Sequence, residues 1–116
     1  MNLTVTWEFT LSTDGDLIGD LPNHAETVMK ELLALEECDE SLTDSAVGLD
    51  TGSMTVEISV SVKDLSYENA LSHAMATVRA AIHAAGGFTS GWPNGSLKPL
   101  AESLQYEAGE IHAVLI

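Results

Sequence analysis

Three groups of residues in this chain carry side chains able to do chemistry. The stretch Leu49-Asp50-Thr51-Gly52-Ser53 sets an aspartate just ahead of a glycine turn. Two such aspartates, one from each of two chains and sharing one proton, could activate water against an amide. Asp14, Asp16 and Gly19 fall at positions one, three and six of a calcium-loop spacing. His24, His73, His83, His112 and Cys38 supply the imidazole and thiol groups.

Each group also has a plainer reading. Leu49 to Ser53 matches the catalytic triplet of aspartic proteases, and a homodimer would bring the second aspartate. Such a subunit should be nearly all β, however, and this chain carries two helical patterns, so Asp50-Thr51-Gly52 reads as a turn between strands. In the Asp14–Asp20 stretch, position five is Ile18 and position twelve is Ala25, where calcium needs an oxygen ligand and a bidentate glutamate. The run Glu36-Glu37-Cys38-Asp39-Glu40, with Asp44, reads as a solvated helix end rather than a cation site. The histidines have no spacing typical of zinc, Cys38 has no local base partner, and the glycines form neither a phosphate loop nor a dinucleotide fingerprint. No catalytic residue, metal or cofactor is expected, and a non-enzymatic protein is the reading.

Charge narrows the partners. The chain has 18 Asp and Glu against 4 Lys and Arg, a formal net charge of -14 over 116 residues. Twelve of the carboxylates and only Lys30 among the bases lie in residues 1–50. So negative a surface repels phosphate backbones and anionic membranes, so neither nucleic acid nor a membrane is an expected partner. The single cysteine excludes an internal disulfide and fits a reducing compartment. The N-terminal residues lack the basic and apolar regions of a signal peptide, and the cytoplasm is the expected location.

The elements that must position these groups follow from periodicity. Leu3, Val5, Trp7, Phe9 and Leu11 alternate with Thr4, Thr6, Glu8 and Thr10, which predicts a strand. Met54, Val56, Ile58, Val60 and Val62 alternate with Thr55, Glu57, Ser59 and Ser61 in a second clear strand, and Thr43–Leu49 forms a weaker one between. Asn23 and Glu26 form a capping box ahead of Val28, Met29, Leu32 and Leu35, a helix running out near Cys38. A second helix runs from near Ser66 to Gly86-Gly87, with Leu71, Ala74, Met75, Val78, Ile82 and Ala85 as its apolar stripe. A loop follows from Gly86 to Pro99. Residues 97–104 fit a short helix, or Leu104–Ile116 a hairpin turning at Ala108-Gly109, and Ile111–Ile116 is a strand either way.

The order β-α-β-β-α-β, with two amphipathic helices and strands apolar on one face, predicts one α+β domain over residues 1–116. Its economical form is a single antiparallel sheet with both helices packed on one face. That pattern resembles the ferredoxin-like split β-α-β sandwich, a resemblance of topology that implies no particular activity.

The expected contact surface is the polar sheet face: Thr4, Thr6, Glu8 and Thr10 beside Thr55, Glu57, Ser59 and Ser61. The loop aromatics Phe88 and Trp92 either anchor a partner or cap the core. The leading expectation is a small acidic protein-interaction module, self-associating as a homodimer or binding a protein partner. Two alternatives stand beside it. One is a regulatory domain binding a small molecule at a subunit interface. The other is an acidic mimic of nucleic acid that inhibits a DNA- or RNA-binding protein.

Overall fold

The alternation of the first strand turns its large apolar side chains to one side and its threonines to the other, and the structure builds outward from that strand. The computed structural model describes residues 1–13, 21–86, 88–89 and 104–116. The elements are β1 (Asn2–Thr13), α1 (Leu21–Cys38), β2 (Leu42–Asp50), β3 (Thr55–Lys63), α2 (Tyr67–Ala84), β4 (Phe88–Thr89) and β5 (Leu104–Leu115). They form a five-stranded sheet in the order β2-β3-β1-β5-β4. The four long strands are antiparallel, with β1 and β3 central, and both helices lie on one face. This is the α+β, ferredoxin-like arrangement.

The core lies between sheet and helices. Leu3, Val5, Trp7, Phe9 and Leu11 of β1 and Val56, Ile58, Val60 and Val62 of β3 are buried, facing Val28 and Leu32 of α1 and Ala74, Val78 and Ile82 of α2. The buried stripe of α2 also takes in Ala70, Thr77 and Ala81, so it is centred on smaller residues than periodicity predicts. The Thr77 hydroxyl donates to the His73 carbonyl at 2.8 Å, which satisfies it inside the core. No helix of the described residues is long and apolar enough to cross a membrane.

Four local expectations are corrected. First, α1 begins at Leu21, so Asn23 and Glu26 lie inside its first turns rather than capping it. Pro22 suits that start because the first helical N–H groups have no intrahelical acceptor, and Leu21 is buried. Glu26 instead reaches Lys30, at 3.7 Å. Second, Ala108-Gly109 is not a hairpin turn. β5 runs straight through it with one extra residue, since Trp7 pairs with Ile111 but Phe9 with Ala108. The insertion is a β-bulge, and a Cβ on Gly109 would sit 3.1 Å from the Glu8 carbonyl oxygen, which accounts for glycine there. Third, the expected loop after α2 contains the short β4, which pairs parallel to β5 at Gln105 and Tyr106. Fourth, β2 extends over Leu42–Asp50 and carries its own bulge between Thr43 and Ala46. Asp44 takes a left-handed φ of 55° within it.

α2 ends as expected. Ser66 caps its start, accepting from the Asn69 N–H at 3.2 Å, and Gly86 follows its end at φ 93°. The Asp14–Asp20 stretch and the residues 97–103 lie outside the described residues.

Candidate functional site

Strand pairing assembles the open sheet face in rows. Thr43, Ser61, Thr4 and Val114 lie in register across the four long strands, and Ala46, Ser59, Thr6 and His112 form the next row. Beyond them Gly48, Glu57 and Glu8 run up to the β5 bulge, and the last row is Asp50, Thr55, Thr10 and Glu107. The eight sheet residues expected to share a face therefore do so.

The face has two halves of different chemistry. In the neutral half, Thr4 and Ser61 hydroxyls lie 2.8 Å apart and those of Thr6 and Ser59 3.1 Å apart. These hydroxyls satisfy one another, with Ser61 buried and Thr4, Thr6 and Ser59 half-buried. In the acidic half, Glu8 faces Glu57 directly, a like-charge pair that weakens the sheet locally. Beside them Glu8, Gly48, Leu49, Asp50, Thr55, Val56 and Glu57 line a groove of about 400 Å³.

Asp50 serves the β2–β3 turn. Its Oδ1 accepts from the Gly52 N–H at 2.9 Å and the Ser53 N–H at 3.3 Å. Hydrogen bonds from Ser53, then Gly52, hold its carboxyl below the ordinary carboxylate range.

The acidic end of α1 is held by local bonds. Asp39 Oδ1 accepts from the Ser41 hydroxyl at 2.6 Å and the Ser41 N–H at 3.0 Å, while Oδ2 lies 2.8 Å from His73 Nε2 on α2. Serine, aspartate and histidine meet here in the wrong order for nucleophilic catalysis. The aspartate stands in the middle, so no imidazole is in contact with the hydroxyl. Glu36 Oε2 accepts the Ser45 N–H inside the β2 bulge, at 3.1 Å. Among the described residues no group of three or more His, Cys, Asp or Glu is placed to hold a metal, and Cys38 is exposed. Phe88 lends its backbone to β4, but its side chain and the whole of Trp92 lie outside the described residues.

Two features escaped sequence reading. Tyr106, buried under Phe9, has its hydroxyl 2.7 Å from His24 Nε2. The second is the lower half of β5. Ile111, Val114, Leu115 and Ile116 are 38%, 61%, 55% and 77% exposed, although they continue a strand in a well-packed sheet. Ile111, Ala113 and Leu115 face the helix side, in register with Trp7, Val5 and Leu3, while His112 and Val114 face the open side. The apolar run Ala113–Ile116 was visible in the sequence as a strand. Its place outside β1 follows from the ferredoxin-like order, but the exposure of its side chains does not.

Set against family models, curated proteins and solved structures, the chain gives no match in any of the three comparisons.

Proposed function

We propose that this protein is a non-catalytic protein-interaction module that works as a homodimer. The observation that carries the reading is the exposed apolar run at the end of β5, flanked by exposed Met1. Isolated apolar side chains on a surface are ordinary, but consecutive ones on both faces of a strand mark a contact surface. The neutral half of the open face adjoins this run through Thr4 and Val114 and supports the same reading. Sedimentation velocity over a wide concentration range tests it, with a mass near twice that of the chain as the expected result. A monomer at high concentration would overturn the homodimer, and the capture of no protein partner besides would overturn the interaction module.

A second reading draws on the acidic half of the same face. Glu8, Glu57 and Asp50 around one groove, with Glu107 in the adjoining row, form a contiguous carboxylate surface suited to a basic partner. This is the inhibitor that mimics nucleic acid. It requires binding to a basic protein that weakens steeply with salt and with the double variant Glu8→Gln, Glu57→Gln.

A further inference from the structure

The two sides of the sheet are protected unequally. On the β2 side the edge is broken by the Asp44–Ser45 bulge, carries Asp44 and Asp50, and has its Ser45 N–H taken by Glu36. Such bulges and charges discourage pairing with another strand. On the other side, β4 covers β5 at Gln105 and Tyr106. Among the described residues no strand pairs with residues 107–115 on that side. The bulge at Gly109-Glu110 interrupts this edge too, but residues 111–115 below it are regularly paired with β1, carboxylate-free and exposed apart from the half-buried Ala113.

The direction of the free backbone groups follows from one hydrogen bond. The Ile116 N–H donates to the Asn2 carbonyl at 2.9 Å. Bonded and non-bonded pairs alternate along an antiparallel ladder, so Val114 and His112 also direct their N–H and C=O groups at β1. Ile111, Ala113 and Leu115 then direct theirs outward, away from β1.

We propose that two copies of the chain join through this edge, their β5 strands antiparallel about a twofold axis at Ala113, to make one continuous sheet. The inference rests on the homodimer reading and specifies its surface. In this register Ile111 meets the partner's Leu115, Ala113 meets its own counterpart, and all the outward groups of the three residues pair reciprocally. A register centred on His112 or Val114 pairs fewer of them clear of the bulge. The same register sets Ile111 against the partner's Leu115 on the helix side and His112 against the partner's Val114 on the open side. The occupant is a second copy because a twofold strand edge is complementary to itself. Residues 111–115 themselves carry no carboxylate, and the neighbouring Glu110 has its Oε2 3.2 Å from His112 Nε2, so two chains of charge -14 meet here with little opposed charge.

Residue-resolved amide hydrogen exchange on the full chain, at dilute and concentrated protein, tests this. Exchange of the Ile111, Ala113 and Leu115 amides should slow by about tenfold or more on concentration, while His112 and Val114, bonded to β1 in both states, stay unchanged. Ala113→Pro removes an outward donor that no strand of the described residues uses in the monomer, and proline is tolerated at a strand edge. It should raise the dimer dissociation constant at least about tenfold. If Ala113→Pro does not fold, Leu115→Lys at the exposed edge should weaken the dimer by a similar factor. A dimer that forms without protecting the odd-numbered amides would overturn this inference and leave the homodimer reading standing. A chain that stays monomeric throughout would overturn both.

Discussion

His24 and Tyr106, 82 positions apart in sequence, lie in hydrogen-bond contact, with Nε2 2.7 Å from the phenolic oxygen. The contact ties the first turn of α1 to β5, and the Ala85 backbone at the end of α2 acts on the same ring, favouring its charged form against the effect of burial. Three elements thus meet at one imidazole. Burial holds the ring below its ordinary pKa and pushes the tyrosine hydroxyl well above its own.

Tyr106→Phe should keep the fold and lower its stability by about 1–2 kcal/mol, because His24 then loses its partner in a partly buried setting. Urea denaturation with an unchanged slope would show that only stability has moved.

Stability should also depend on the charge of His24. Its pKa is lowered in the folded state, so the unfolded chain takes up the proton first. The contribution is complete above the ordinary value of 6.5 and is lost as pH falls from there towards the folded pKa. Thermal melts between pH 7.5 and 5 should show this decline, and His24→Gln should flatten it.

Asp39 links the start of β2 to α2 through Ser41 and His73. Its carboxyl is held low chiefly by Ser41, so this contribution is present above 3.8 and lost as pH falls through the folded pKa. A double-mutant cycle on Asp39→Asn and His73→Gln should give a coupling of about 0.5 kcal/mol, small because both side chains reach solvent.

The glycines of two strands should respond oppositely. Gly109→Ala sets a methyl against the Glu8 carbonyl of a central strand that cannot move aside, and should cost about 1 kcal/mol. Gly48→Ala meets nothing within 4 Å and should be neutral or stabilise by about 0.5 kcal/mol, since alanine has less freedom to lose. Chemical denaturation of both variants measures the contrast.

Which strands could be read from sequence follows from where the bulges lie. β1 keeps its apolar residues at odd positions from Leu3 to Leu11, and β3 keeps its own at even positions from Val56 to Val62, so period two identified both. In β2 the core side passes from Leu42 to Val47 and Leu49, and in β5 from Tyr106 to Ile111 and Ala113. One inserted residue in each reverses the parity, which is why Thr43–Leu49 looked weak and Ala108-Gly109 looked like a turn. The candidate surface divides likewise. The shared face of β1 and β3 was legible in the alternation of threonine, serine and glutamate.

The sequence by itself determined the two central strands, the two amphipathic helices and the acidic character, because each is written in local periodicity or composition. Tertiary structure alone decided the rest. How far the side chains of Ile111–Leu115 stay exposed, which carboxylates gather on one half of the sheet, and that His24 meets Tyr106 all depend on pairing between distant segments. Local sequence carries no record of such pairing, since a strand has the same period whether its neighbour is another strand or solvent.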